Sequence, residues 1–543
     1  MPISQNLLTG AQSVAWASTT PPSGVVLELV YLGRDDAGLG PIQIALATVS
    51  TPPTKETMRA LHALRKGKST IQLVVGAILG ERIWIFGPDE RTQVIESLPL
   101  DQGCRQLQSA LDEPNALAAY TRLGQFRRSL DTTSLVGVTN SGLFASYHIR
   151  ENVPKRSDWG DACAKSKPWL SLRTDQLIKA LGFKSEKTAG NALLLTSGTP
   201  QSKAVAILLD ESEQFDSTSA RHTGISPVAF GLNVAARQGV PWLFVLRKDQ
   251  IRIYPAKDGV GVGQKGQVET YLEVDLAAID SERAGLLALI FSAEALEPNG
   301  TAHELLEGSQ RFASQLGLRL RERIYEHVVP QLSKSVAEHL RDQGTTLDSE
   351  GLSLAYRLTL RILFRLLFQA YAEDRGLLPA GRNEGYDANS LKTIAKRIID
   401  TPAEQFGKSK TLWFDLVQVW DAIDEGNETW NVPAYNGGLF GTDPEIHTEG
   451  AQIEKLGIQD DILGPVLQHL LIDISEDNVP GPVDFRSLSV REFGTIYEGL
   501  LESSLSVATQ DLTVDSKGAW IPASKSDQVL AATGDVYFHS ASG

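Results

Sequence analysis

The chain has 543 residues, with 51 Lys and Arg against 66 Asp and Glu, so its net charge of −15 excludes a uniformly basic nucleic-acid coat but not a local basic face. Hydrophobic residues make up 42% and charged residues 22%, which is ordinary for a globular protein and excludes wholesale disorder. Two cysteines cannot build a disulfide framework or a four-thiolate zinc site, and neither a membrane-length apolar run nor a secretion signal is visible. We therefore predict a soluble, cytoplasmic protein with no membrane partner.

The front half of the chain alternates short apolar strands with helices. Residues 1–24 are polar and contain Pro21 and Pro22, so we expect a flexible lead-in. A first α/β unit is predicted for residues 25–150 and a second for residues 151–280. Short β-branched runs bounded by Gly and Pro predict strands at 25–31, 42–49, 71–79 and 83–86 in the first unit, and at 192–196, 204–209, 242–246 and 251–254 in the second.

The two units share an order of elements. In each, a strand is followed by a helix and then by a hairpin that ends in an aromatic residue and Pro, with or without Gly between them. The two hairpin ends are Ile83–Pro88 and Ile251–Pro255. This order suggests a duplicated fold, although strand–helix–hairpin orders are also common in unrelated proteins.

From residue 281 the pattern becomes helical, and we predict an α-helical connector domain over residues 281–510. Gly351–Arg375 is the clearest helix, because its apolar residues recur at steps of three and four. Arg357, Arg361 and Arg365 form one stripe on this helix. Such a stripe can follow the phosphate backbone of nucleic acid, or it can pair with acidic residues of a neighbouring helix.

No complete active site is visible in the sequence. Gly261–Gly266 has the spacing of a dinucleotide-binding loop, but a strand pattern follows it where a helix is needed. No two histidines have the spacing of a helical zinc site, and neither cysteine lies near a histidine in sequence. We therefore predict no catalytic residue, no cofactor-binding residue and no metal ligand in this chain.

The second α/β unit has the architecture of a metal-dependent nuclease without its full set of residues. Asp210, Glu211 and Glu213 follow a predicted strand and could hold a metal ion. Such a nuclease also needs a lysine two positions beyond an acidic residue, but Ser212 and Glu213 stand there. We therefore predict a nuclease-like, degenerate unit and keep an active metal-dependent nuclease subunit as an alternative.

Three segments of the back half stand out by their sequence, namely Arg361–Pro379, Tyr435-Asn436-Gly437-Gly438-Leu439-Phe440 and Ser489–Glu502. In this order they resemble signatures of large single-chain type IIG restriction–modification enzymes and related phage-defence adenine methyltransferases. The resemblance covers about residues 310–543, and the three signatures together are more specific than any one alone.

In that family the third signature leads into a methyltransferase domain with a Gly-rich S-adenosylmethionine loop and an Asn-Pro-Pro-Tyr motif. Neither motif occurs in this sequence. The resemblance thus implies the N-terminal part of an adenine-specific DNA methyltransferase, with residues 511–543 starting a truncated methyltransferase region. The chain would hold double-stranded DNA and join a methyltransferase domain or a separate polypeptide encoded downstream, which would bind S-adenosylmethionine. Activity of the chain alone is not expected.

The resemblance also implies roles for single residues. Tyr435, Gly437 and Gly438 would form a turn that packs on the next domain, and Tyr497 and Glu498 would lie on a helix that docks the methyltransferase core. Residues 373–375 would cap and tie helix ends. From the helical spacing, and not from the resemblance, we predict the stripe of Arg357, Arg361 and Arg365 as the nucleic-acid contact. A non-catalytic protein-interaction module is the remaining alternative.

Overall fold

The computed structural model describes residues 7–16, 20–36, 38, 40–66, 73–88, 93–130, 135–262, 266–381, 383–401, 406–435, 437–474, 480–488, 490–515 and 518–540. The chain divides into two compact units, Met1–Gly308 and Ser309–Gly543. Mixed α/β sheets occupy the first unit and most of the long helices the second, which confirms the predicted order of fold classes. Parts of several predicted features lie outside the described residues, namely 71–72 of a strand, 263–265 of the Gly-rich loop, Asn436 and Ser489.

The first unit begins with a mixed sheet, to which the described residues contribute six strands in chain order. The strands are β1 (Gln12–Ala15), β2 (Val25–Leu32), β3 (Gln43–Val49), β4 (Leu73–Leu79), β5 (Arg82–Phe86) and β6 (Ile95–Pro99). All neighbours are antiparallel except β3 and β4, which are joined through helix α1 (Lys55–Lys66) and run parallel. Strand β1 lies inside the predicted flexible lead-in, and its pairing with β2 orders it despite its exposed side chains.

A seven-stranded sheet forms the second part of the first unit, counted over the described residues. Its order is β7-β13-β12-β11-β10-β9-β8, built from β7 (Val138–Ser141), β8 (Lys184–Lys187), β9 (Ala192–Ser197), β10 (Thr199–Leu208), β11 (Trp242–Arg247), β12 (Gln250–Pro255) and β13 (Tyr271–Asp275). Because β7 belongs to this sheet, the sheet starts before the predicted boundary at residue 150. Helices α2 (Leu100–Leu111), α3 (Ala116–Leu130), α4 (Trp159–Ser166), α5 (Thr174–Ala180) and α6 (Pro227–Gln238) accompany the two sheets.

The two sheets repeat one topology. Strands β1 to β3 are antiparallel, a helix follows, β4 is parallel to β3, and β5 and β6 return antiparallel. Strands β8 to β10, helix α6 and strands β11 to β13 have the same order and the same directions. The shared arrangement supports the interpretation of a duplicated fold, because it extends over six strand positions instead of one hairpin.

Buried polar contacts tie α2 and α3 to the second sheet. Arg122 on α3 donates to Asp275 at 2.8 Å, and Ser109 on α2 donates to Asp249 at 2.5 Å. The charged side chains of Arg122, Asp275 and Asp249 therefore each have a polar partner, which buried charges require.

The second unit is mainly helical. Its described helices are α7 (Thr301–Arg323), which contains the boundary between the units, α8 (Val329–Asp342), α9 (Ser349–Asp374), α10 (Glu384–Asp387), α11 (Leu391–Asp400), α12 (Thr411–Glu425), α13 (Thr448–Glu454), α14 (Asp460–Leu471) and α15 (Val490–Leu501). Short two-stranded ribbons pair β14 (Ile472–Ile474) with β15 (Pro480–Pro482), β16 (Ser503–Val507) with β19 (Val536–Ser540), and β17 (Leu512–Val514) with β18 (Trp520–Pro522). No helix among the described residues is long and apolar enough to cross a membrane.

Helix α9 confirms the helix predicted for Gly351–Arg375, and local capping defines its ends. The Asp348 side chain accepts hydrogen bonds from the N–H groups of Glu350 and Gly351 at 3.1 and 3.0 Å. At the other end Gly376 has a φ of +71°, and Leu377 donates to the carbonyl of Ala372, which is a Schellman arrangement.

The predicted helix at Val490–Ser504 ends earlier than expected. Helix α15 stops at Leu501, and residues 503–507 form strand β16 against β19. The helical periodicity of the sequence does not reveal this pairing, because its partner strand lies about 30 residues further along the chain. One ribbon therefore joins the predicted connector domain and the predicted tail.

Two histidines stack in the second unit. The ring centroids of His327 and His469 are 4.1 Å apart. Burial disfavours the imidazolium and places the pKa of His469 below its usual value, and the positive charges of His327 and Arg323 lower it further. The unfolded chain therefore binds more protons than the folded chain as the pH falls through the ordinary histidine range, and stability should fall with it.

We expect the thermal unfolding midpoint to decrease as the pH is lowered from about 7.5 to about 5.5, and to decrease less in His327→Gln, which lacks one of the two like charges. Fluorimetric melting at constant ionic strength measures this. His339→Gln is the matched control, since His339 hydrogen-bonds a backbone carbonyl at 3.1 Å instead of another histidine. A pH dependence in His327→Gln equal to that of the unmodified protein would contradict the assignment.

Candidate functional site

The three segments that carry the family resemblance lie together in the second unit. Helix α9 supplies a face on which residues recur at steps of three and four, so that they point to one side of the helix. The segment 437–440 lies against this helix at Arg361 and Arg365, and helix α15 lies against it at Phe364 and Tyr371. We call the following residues the α9 face: Arg357, Arg361, Phe364, Phe368, Tyr371 and Arg375.

Two arginines of α9 hold three successive backbone carbonyls. Arg361 donates to the carbonyl oxygens of Gly438 and Leu439, the latter at 3.2 Å. Arg365 donates to Leu439 at 2.9 Å and to Phe440 at 3.0 Å. These bonds fix the segment 438–440 along the helix.

Arg365 is a core residue. It is only 1% exposed, and its guanidinium carbon lies 5.2 Å from the ring centroid of Trp420 and 5.6 Å from that of Phe440. Burial, with the nearby charge of Arg361, lowers the pKa of Arg365 to about 10, so the group stays protonated at neutral pH. The carbonyls of Leu439 and Phe440 accept hydrogen bonds from the Arg365 guanidinium, and without such acceptors burial of this charge would be too costly.

The three arginines predicted to contact DNA differ in their exposure to solvent. The prediction for Arg365 is wrong, because its guanidinium is buried and does not reach the surface. Arg357 is exposed and pairs with Glu449 of α13 at 2.7 Å, and Arg361 pairs with the same carboxylate at 3.4 Å. The pairing of the stripe with an acidic residue of a neighbouring helix is thus confirmed, and DNA contact by Arg357 and Arg361 stays a prediction.

The predicted turn at the second signature is confirmed. The N–H of Phe440 donates to the carbonyl of Gly437 at 3.1 Å, and Gly438 accepts from Arg361. The Tyr435 ring meets Phe368 edge-on at 6.2 Å, and its hydroxyl donates to the carbonyl of Leu377 at 2.9 Å. The ring remains partly exposed, so docking of another domain on Tyr435, Gly437 and Gly438 stays a prediction.

Helix α15 carries the third signature. Tyr497 packs on Phe364 with 5.5 Å between ring centroids and is still 46% exposed, while Glu498 is exposed beside it. Phe493 meets Tyr371 edge-on at 5.7 Å. Tyr497 and Glu498 therefore lie on a helix with one face on α9 and one open, and their docking role stays a prediction.

The end of α9 confirms the predicted capping role of Glu373. This carboxylate is buried and accepts hydrogen bonds from Gln369, Tyr386 and the first two N–H groups of α11, at distances of 2.9 to 3.0 Å. Burial raises the pKa of Glu373, and the four donors oppose that rise. Asp374 accepts from the N–H of Phe485 at 2.9 Å and so ties the helix end to a later turn.

The acidic residues of the second sheet form an ion-paired turn after β10. Glu213 accepts from the Asp210 N–H at 3.0 Å, the Ser219 hydroxyl at 2.6 Å and Arg221 at 2.5 Å, and it faces His222 at 3.2 Å. Burial alone would raise the pKa of Glu213, but these hydrogen bonds and the charge of Arg221 place it below its usual value.

The other two carboxylates are also paired. Asp210 contacts Arg221, and Glu211 contacts Arg34 at 3.1 Å. Across the described residues, no group of three His, Cys, Asp or Glu side chains is arranged to hold a metal ion. A metal ion at Glu213 would have to displace the Ser219 hydroxyl and the guanidinium of Arg221.

Several partners in these sites gave no signal in the sequence. Glu449 lies 88 residues from Arg361 along the chain, and Trp420 is 51 residues from the Gln369 that it contacts. Helical periodicity gives the face on which a residue lies, but it does not give the distant segment that covers this face.

Comparison of the chain with protein-family models, with curated proteins and with solved structures found no match. The function proposed below therefore depends on the sequence signatures and on the geometry of the α9 face.

Replacing Arg365 by Ala should destabilise the protein by about 2–4 kcal/mol, because the buried carbonyl of Phe440 loses its Arg365 donor, the carbonyl of Leu439 keeps only Arg361, and a cavity forms. The exposed ion pair of Arg357 should contribute less than about 1 kcal/mol, which makes Arg357→Ala the control. Urea unfolding followed by tryptophan fluorescence measures both. Equal losses in the two variants would refute the role given to Arg365.

Glu213→Gln should lower stability by about 1–3 kcal/mol, since a charged acceptor of several hydrogen bonds is lost. Glu211→Gln removes an exposed carboxylate and should have a much smaller effect. Added Mg²⁺ or Mn²⁺ should leave the unfolding midpoint of the unmodified protein unchanged. A midpoint that rises with Mn²⁺ in the unmodified protein but not in Glu213→Gln would instead establish a metal site.

Proposed function

We propose that this chain is the N-terminal and helical connector part of an adenine-specific DNA methyltransferase of a restriction–modification or phage-defence system. It would act as the DNA-binding and scaffolding part for an S-adenosylmethionine-dependent N6-adenine methyltransferase domain. The supporting observation is that the three family-like segments meet on one helix, where contacts join residues up to 144 positions apart.

A surface with this composition suits a protein partner. Phe364 and Phe368 are half-buried, and Tyr435, Tyr497 and Leu377 around them are substantially exposed. Aromatic residues and arginine are enriched at the centres of protein interfaces, where their large rings are buried on association. We assign this surface to the methyltransferase domain, with Tyr435, Gly437, Gly438, Tyr497 and Glu498 as docking residues.

The chemistry itself requires residues from elsewhere. Methylation of adenine N6 in a duplex needs a flipped base held in a pocket and stacked on an aromatic side chain, in line with the methyl donor. The Asn-Pro-Pro-Tyr motif that would hold the base is not in this sequence. The chain alone should therefore transfer no methyl group, and S-adenosylmethionine should bind the partner.

The nuclease alternative has less support from geometry. The second sheet has a suitable strand order, but Asp210, Glu211 and Glu213 are engaged with arginines and no lysine stands where such a site needs one. The protein-interaction alternative is tested together with the main proposal.

The proposal is tested by methyl transfer from labelled S-adenosylmethionine to unmodified DNA. The chain alone should be inactive, and a mixture with the polypeptide encoded downstream should be active. Inactivity of the mixture together with absence of DNA binding at low salt would favour the interaction module. Activity of the chain alone would overturn the assignment of catalysis to another polypeptide.

Tyr497→Ala should weaken binding of the methyltransferase polypeptide by about tenfold, the loss typical of an interface aromatic worth about 1.4 kcal/mol. Phe414 is 58% exposed on α12, outside the α9 face, and Phe414→Ala is the matched control. Calorimetric titration measures both variants. Equal affinities for Tyr497→Ala and Phe414→Ala would exclude Tyr497 from the interface.

A further inference from the structure

Arg375 differs from the other arginines of the α9 face. Its Nε and Nη1 atoms are buried, and neither has a hydrogen-bond partner among the described residues. Arg357 and Arg361, on the same face, both pair with Glu449. Buried donors without acceptors are uncommon in folded proteins and call for a specific explanation.

The surroundings of Arg375 compensate its charge only in part. Its guanidinium carbon lies 4.9 Å from the ring centroid of Tyr371. The nearby Arg486 is engaged with the carbonyl oxygen of Asp374, to which its Nε donates at 2.8 Å. Burial lowers the pKa of Arg375 and the charge of Arg486 lowers it further, while the negative charge of Asp484 opposes both without reversing the shift. An anion placed here would be attracted by a guanidinium that lacks a bonded acceptor on two of its nitrogens.

The position of Arg375 on the helix is also informative. Arg357 and Arg375 are 375 − 357 = 18 residues apart, which is five turns of an α-helix, so both point to the same side. Their separation along the axis is about 27 Å, at about 1.5 Å per residue. Arg375 therefore lies at the end of the α9 face, so a phosphate bound there leaves Phe364 and Phe368 at its centre for the methyltransferase domain.

We propose that Arg375 binds a backbone phosphate of double-stranded DNA. This inference rests on the proposed DNA-binding function and names the phosphate contact that buried Arg365 cannot make. The residue as a whole is only half-buried, so part of it is open to solvent. Turning its guanidinium towards a phosphate breaks no hydrogen bond at Nε or Nη1, and a phosphate offers the paired oxygens that an arginine fork binds best.

The test uses the full chain and a labelled duplex in fluorescence anisotropy titrations over a range of salt concentrations. Arg375→Met should weaken binding by about tenfold and reduce the slope of log affinity against log salt by about 0.9, the value for one lost phosphate contact. The unfolding midpoint should stay the same or rise, because an unpaired, partly desolvated charge has been removed. A purely structural arginine would show the opposite pattern, with lower stability and unchanged DNA binding.

Arg321→Met is the matched control. Arg321 also stacks on a tyrosine four residues away, with 5.6 Å from its guanidinium carbon to the ring centroid of Tyr325, but it lies on α7 and not on the α9 face. Its replacement should leave both the affinity and the salt slope unchanged.

The outcomes separate this inference from the proposed function. If the unmodified chain binds no DNA, the DNA-binding function fails and the phosphate contact fails with it. If the unmodified chain binds DNA and Arg375→Met keeps its affinity and salt slope, only the phosphate contact is overturned. If Arg375→Met binds DNA normally but loses the methyltransferase polypeptide, the acceptor is a protein carboxylate and the inference is wrong.

Discussion

A buried guanidinium determines how a distant segment packs on the central helix of the second unit. Arg365 lies in the middle of the longest apolar helix, where a charge is tolerated only if polar groups surround it. The carbonyls of Leu439 and Phe440 supply acceptors, and the rings of Trp420 and Phe440 cover the guanidinium. A segment more than 70 residues away is thereby held against α9 by the backbone itself, so its position depends little on its own side chains.

In the first unit too, charged side chains are held by partners that lie far away in the sequence. The net charge of −15 suggests a surplus of free carboxylates, yet those that follow β10 are engaged by Arg221 and Arg34. Arg122 and Asp275 similarly join α3 to the second sheet. Net charge describes the protein as a whole, while the location of each charge depends on partners that are distant in sequence.

Local sequence patterns predicted the helices and strands that form because their own side chains are buried. Helix α9 and the hairpin β11–β12 are examples, since apolar periodicity reports burial directly. Strands β1 and β8 escaped prediction because most or all of their side chains are exposed and their order comes from backbone pairing. The three arginines predicted to form one stripe do not all lie on one face of the helix. Each step of four residues turns the helix by about 40° beyond a full turn, so Arg365 is rotated by about 80° from Arg357 and enters the core.

That rotation also decides which arginines of α9 can face a ligand. Two successive steps of four residues move a side chain off the α9 face, whereas steps of four, three, four, three and four residues stay on it and lead from Arg357 to Arg375. The core then retains the guanidinium of Arg365, which binds the carbonyls of Leu439 and Phe440, and the α9 face retains the other arginines. A structural arginine and a candidate phosphate-binding arginine can therefore share one helix without competing, because the geometry of the helix assigns them to different sides.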